Sequence, residues 1–152
     1  MKKTLFGLLF IGTTLMAQVT NLPVTLKFVK SNEMKIIDIR TEGEWKQMGI
    51  IKDAHLITFF DKKSKYDIKS FLKKLNELIE EDEQFAIICN TASRTKLVSN
   101  FLGNKLNYDV VNLTGGMVKL IGDGYIVEKY SKKEIFSKEE KNINSSESNT
   151  TK

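Results

Sequence analysis

The chain has 152 residues, 41% hydrophobic and 28% charged, with one cysteine, one histidine and a net charge of +5. That suits one globular domain with a single core. A lone cysteine excludes an internal disulfide, and the mild basic excess, without a compact basic patch interleaved with aromatics, argues against a nucleic-acid partner.

Residues 1–17 read as a secretory signal peptide. A basic start, Met1-Lys2-Lys3, precedes an uncharged run rich in Leu, Phe and Ile that is short for a membrane span and ends in Leu15-Met16-Ala17. Cleavage after Ala17 leaves a net charge of +3. Leu15 is larger than the small residue usual there, so an uncut anchor is the alternative. The expected organisation is a leader at 1–17, a globular domain at 18–130 and a disordered polar tail at 131–152. The expected location is a bacterial periplasm, with no stable membrane insertion after cleavage.

The globular part alternates strand and helix patterns. A short edge strand is expected near Pro23-Val24, and Thr25 caps a short helix through about Lys30. Residues 35–39 read as a buried strand that places Asp38 and Arg40 at its carboxyl end, where they form a framework pair. A helix over 42–48 ends at Gly49; in it Glu44 pairs with a nearby arginine and Trp45 is core. A strand over 55–60 opens on His55, the one candidate base for Cys–His catalysis, read here as making a local hydrogen bond instead. A charged loop over 61–66 leads to Asp67, which caps a helix with a stripe of Ile68, Phe71, Leu72, Leu75, Leu78 and Ile79. The acidic run at 80–83 is solvated surface, without matched metal ligands. A last strand over 109–113 meets Gly115-Gly116, which starts a helix to about Gly122, and no GxGxxG follows a strand.

The stretch from Phe85 to Leu102 carries the chemistry. Four apolar residues run into Cys89, a small polar loop with Arg94 follows, and apolar positions 97, 98, 101 and 102 take up helical spacing. A buried cysteine is most often a small hydrophobe. At the end of a strand, facing a helix N-terminus, a thiol instead meets converging N–H groups that favour thiolate. In an exported chain an unpaired thiol is open to oxidation, which fits use better than packing.

The loop Cys89-Asn90-Thr91-Ala92-Ser93-Arg94-Thr95 resembles the active-site loop of the rhodanese (sulfurtransferase) family, which has Cys, four residues, Arg, then Thr or Ser. Two more blocks match in order and spacing. One is Ile36-Ile37-Asp38-Ile39-Arg40-Thr41 with Glu44-Trp45, Gly49 and Ala54; the other is Asn112-Leu113-Thr114-Gly115-Gly116-Met117 with Gly124-Tyr125. The resemblance covers roughly residues 24–127. It implies a three-layer α/β/α fold with a five-stranded parallel sheet in the order 3-2-4-5-1, and Cys89 in a shallow pocket.

The resemblance also implies sulfane-sulfur transfer through a Cys89 persulfide, without a cofactor. The donor is a small sulfur-containing anion such as thiosulfate, or a persulfide; the acceptor is a thiol or cyanide. Backbone N–H groups from Asn90 to Arg94 would stabilise the sulfur, and Arg94 would brace the loop. Ser93 and Thr95 are either hydroxyl donors or helix-cap residues. Asp38, Arg40 and Glu44 support the architecture. Four residues between Cys89 and Arg94, against five in related phosphatases and arsenate reductases, suit sulfur better than phosphate. Ala92 stands where glycine is usual, Asn90 where arginine is frequent, Ile50 for a common histidine, Asp53 for a common glycine and Leu120 for a common tryptophan. The alternative is a low-turnover sulfur carrier or protein-binding module on the same fold.

Overall fold

The alternating strand and helix patterns fold into one parallel sheet with helices on both sides. The computed structural model describes residues 19–31 and 33–132; the expected leader and the polar tail beyond 132 lie outside the described residues. The elements are β1 (Val19–Pro23), α1 (Leu26–Ser31), β2 (Ile36–Asp38), α2 (Glu42–Met48), β3 (His55–Leu56), α3 (Ile68–Asn76), β4 (Phe85–Ile88), α4 (Ser93–Leu106), β5 (Val110–Thr114) and α5 (Gly116–Gly122). Every strand pair is parallel and the order is β1-β5-β4-β2-β3, the implied 3-2-4-5-1 order taken from the opposite edge.

The centre of the sheet is β4, whose four residues are all buried, as a strand covered on both faces requires. Its side chains alternate. Phe85 and Ile87 join Phe71 and Leu75 of α3 and Val98 and Leu102 of α4 on one side. Ala86 and Ile88 join Val29 of α1 and Met117 and Leu120 of α5 on the other. These two cores make the three layers, and strand alternation assigns Cys89 to the α3–α4 side, where it packs.

Three boundaries differ from the sequence reading. The edge strand begins earlier, at Val19, because its ladder with β5 runs from Val19↔Val110 to Pro23↔Thr114. The strand expected over 55–60 has a ladder of only two residues. Its partner β2 stops at Asp38, where Arg40 donates its backbone N–H to Asp38 Oδ1 at 3.1 Å and the chain turns away. The α3 helix ends at Asn76, so Leu78 and Ile79 belong to the following turn, although Ile79 still reaches the core.

Asp38 and Arg40 do form the framework pair. Both are fully buried, with Arg40 Nη2 2.7 Å from Asp38 Oδ2 and 2.8 Å from the carbonyl of Gly49. The pair thus ties the end of β2 to the end of α2. Breaking a buried ion pair from one side leaves a charge without its partner. Asp38→Asn should therefore destabilise the protein by about 3–5 kcal/mol, measured as a drop in the denaturant midpoint at unchanged slope.

Candidate functional site

Cys89 is the first residue after β4 and has no solvent exposure. Its Sγ lies 3.7 Å from Thr95 Oγ1, and Thr95 Oγ1 donates to the carbonyl of Ala92 at 3.1 Å. With that hydroxyl proton committed, the thiol is the donor in the Cys89–Thr95 contact. On ionisation the hydroxyl can turn and donate to the sulfur instead. Ser93 is exposed and sits 3.3 Å from Thr91 Oγ1, so of the two candidate hydroxyls the structure brings Thr95 to the sulfur.

Cys89 lines neither the cavity of about 290 Å³ nor that of about 160 Å³. Strand alternation turns its side chain to the α3–α4 side of the sheet, where it packs with the core that includes Val98 and Leu102.

The loop after Cys89 turns into α4 at Ala92, which has φ 72° and ψ 2°, a left-handed conformation. An alanine there carries Cβ strain that glycine would not. No side chain caps α4, whereas Thr41 caps α2 and Asp67 caps α3. The first-turn N–H groups of a helix have no carbonyl within it, so α4 begins with donors suited to an anion. Asn90 Oδ1 is also buried without a hydrogen-bond partner.

Two contacts hold the loop from outside. Arg94 makes a two-pronged pair with Glu44, Nη1 to Oε2 at 2.8 Å and Nη2 to Oε1 at 2.5 Å. Glu44 Oε2 also accepts from the backbone N–H and hydroxyl of Thr41, at 3.0 and 2.9 Å, while Thr41 Oγ1 accepts from Glu44 N. This is a capping box whose glutamate also binds the loop arginine. The hydrogen bonds from Arg94, and then those from Thr41, hold the Glu44 carboxyl down to about 2 against the opposing effect of burial. Arg94 is pushed up mainly by Glu44 and to a lesser degree by the Cys89 sulfur beside it.

The second contact is the start of α5. Met117 N donates to the carbonyl of Cys89 at 2.9 Å, and Val118 N to that of Asn90 at 3.0 Å. A Cβ on Gly116, which has φ +60°, would lie 2.5 Å from the Asn90 oxygen and 2.6 Å from the Cys89 oxygen. Backbone atoms cannot yield as a side chain can, so only glycine permits this approach. Gly116 was quoted in the sequence as part of a matching block; its position under the loop was not legible there.

A strap over residues 125–130 was also missed. Ile50 and Glu128 exchange two backbone hydrogen bonds, each 2.9 Å, and Val127 packs on Gly49. Tyr125 Oη accepts from Lys52 N at 3.1 Å, and the Tyr130 ring lies 5.6 Å from that of Trp45. The strap clamps α2 and, through Glu44, the loop. The buried charges of Asp38 and Arg40 bond to one another and to Gly49, not to Cys89. His55 lines the 160 Å³ cavity with Lys35, Lys52 and Asp53, and burial lowers its pKa. Among the described residues no three His, Cys, Asp or Glu side chains converge as metal ligands.

A family model described as Rhodanese-like domain matches residues 25–123. The chain is 26% identical over 91 residues to an uncharacterized protein of Rickettsia prowazekii (strain Madrid E), over 58% of this chain and 72% of that protein. A rhodanese-related protein from Thermoplasma volcanium shares the fold, with TM-score 0.52 and 23% identity over 68% of this chain and 92% of that one. A rhodanese-like domain protein from Staphylococcus aureus matches with TM-score 0.49 and 25% identity, over 67% and 88%.

Two outcomes follow from this geometry. The lowered Glu44 pKa adds stability that is complete above about pH 4.5 and lost as pH falls toward about 2. Glu44→Gln should cost about 1–3 kcal/mol at neutral pH and flatten the stability profile in that acid window, followed by urea melts at each pH. Ala92→Gly should raise stability by about 1 kcal/mol by relieving the left-handed strain, whereas Gly116→Ala should lower it; thermal melts of both variants give the contrast.

Proposed function

Because the chain belongs to the rhodanese-like domain family, we propose that it transfers sulfane sulfur through a persulfide on Cys89. The observation that carries this reading is the sulfur's place between a hydroxyl that can turn toward it and an uncapped helix start, with Arg94 beside it. Each of these can interact favourably with the negative terminal sulfur of a persulfide.

In the first half-reaction the Cys89 thiolate attacks the outer sulfur of thiosulfate. A new S–S bond forms, the donor's S–S bond breaks, and sulfite leaves with the electron pair. The negative charge then rests on the terminal sulfur of the persulfide, where N–H donors at the start of α4 and the Thr95 hydroxyl would stabilise it. In the second half-reaction cyanide or a thiolate attacks that terminal sulfur. Cyanide leaves as thiocyanate and the Cys89 thiolate returns. No proton need be removed from either substrate, so the reaction requires no histidine base. Export to the periplasm, as residues 1–17 suggest, would place this chemistry among small oxidised sulfur anions.

Full burial of Cys89 has a consequence for turnover: a donor reaches the sulfur only when the residues packed around it move aside. This closure, together with the strained Ala92, favours a second reading, a slow sulfur carrier or a protein-binding module. Thiocyanate formation from thiosulfate and cyanide separates the two. A transferase should turn over many times per thiol, and Cys89→Ala should abolish the activity; Thr95→Val should lower it about tenfold through loss of one hydrogen bond to the thiolate. A carrier should take up one sulfur on Cys89, seen by intact mass, without sustained thiocyanate release. Equal turnover by wild type and Cys89→Ala would refute the transfer chemistry.

A further inference from the structure

The site described above leaves unused the charged segment between β3 and the end of α3. Lys62, Lys63, Lys65, Lys69, Lys73 and Lys74 are all exposed, and none takes part in the ion pairs formed among the described residues. The two aspartates of the segment are occupied by backbone. Asp61 Oδ1 accepts from Lys63 N and Lys65 N, both at 2.8 Å, and Asp67 Oδ1 accepts from Ser70 N at 3.1 Å. The lysines are close in sequence, on the loop and the helix that follows it, and the fold brings Lys65 of the loop and Lys74 of the helix to one cavity.

A cavity of about 290 Å³ opens in the middle of this charge. Its apolar wall is Ile57, Phe59 and Phe71; Tyr66, Lys65 and Lys74 also line it, as do Asp61 and Asp67, whose carboxylates accept from backbone N–H groups. The Tyr66 ring is 58% exposed and stacks on Phe59 at 5.7 Å. Lys62 reaches α2, its Cε 3.4 Å from where a Cβ on Gly43 would stand, so the patch borders the helix that carries Glu44.

We propose that this surface docks an acidic segment of a partner protein, with one apolar side chain in the Phe59–Tyr66–Phe71 cavity and flanking carboxylates on Lys65 and Lys74. The cavity is small for a drug-sized ligand, whose sites usually run from about 300 to 1,000 Å³, and it fits a single anchoring side chain. Across residues 61–74 six lysines that join no ion pair among the described residues outnumber the two aspartates, and this net positive charge supplies the complementarity that selects an acidic partner. Single-stranded nucleic acid needs successive stacking platforms, and Tyr66 alone among the cavity's aromatic rings is exposed enough to offer one. A membrane surface needs an apolar helix face to enter it, and Phe71 and Leu75 of α3 are already in the core. The chain's own acidic run at 80–83 lacks the anchor, because the neighbouring Ile79 is buried.

The test is a titration of ¹⁵N-labelled protein followed by amide chemical shifts. The probe is the acetylated, amidated peptide Glu-Asp-Phe-Asp-Glu; parallel titrations use the same peptide with Ser for Phe, oligo-dT, and phosphatidylglycerol vesicles. Shifts should cluster at Lys65, Tyr66, Ser70 and Lys74, disappear with the Ser peptide, and need about tenfold more peptide in the Lys65→Glu/Lys74→Glu variant. No shift at about 5 mM peptide, equal binding by the double variant, or tighter binding of oligo-dT or vesicles would each overturn the proposal. The readout is binding and does not depend on sulfur transfer, so either can fail while the other stands.

Discussion

The site depends on one carboxylate. Glu44 closes the first turn of α2 by accepting from Thr41 at Oε2, and grips Arg94 of the Cys89 loop with that oxygen and Oε1. A free helix cap and a free surface ion pair are each worth little by themselves. Here the cap fixes the carboxylate before the arginine arrives, so little side-chain freedom is lost when the pair forms. The helix is fixed in turn from below, because the buried Asp38–Arg40 pair holds the carbonyl of Gly49 at its other end. Two ion pairs, one buried and one at the rim, thus transmit the position of β2 to the loop after β4.

The loop itself is a compromise between reactivity and strain. Leaving α4 without a side-chain cap keeps its first donors available, but the turn that delivers them demands a left-handed residue, and this chain supplies alanine. The α5 start offsets part of that cost by taking the carbonyls of Cys89 and Asn90. The contacts that order the loop thus sit beside a sulfur with no solvent exposure.

The parts legible in the sequence were those written locally. The apolar run at 85–88, the Cys-to-Arg spacing and the glycine at 49 each declare themselves within a few residues, whereas the Thr41–Glu44 cap emerged only with the structure. The need for positive φ at Ala92 was readable because glycine is usual there, and the angle of 72° agrees. Thr95 could have been chosen over Ser93 from helix phase alone, since Thr95, Val98 and Leu102 share one buried face. What stayed hidden needed long-range contact. The stop of β2 at Asp38 is set by a side-chain turn, the fit of Gly116 under the loop by a helix far along the chain, and the strap by tyrosines that resemble ordinary residues before a polar tail.

The strap also orders events in time. Residues 42–48 leave the ribosome long before residues 125–130, yet Glu128 and Val127 complete the backbone pairing and packing around Ile50 and Gly49. With domains folding as units once their parts are made, the helix that positions Arg94 is fastened last. The support for Arg94, and with it the loop around the thiol, is therefore complete only once residues 125–130 have been made.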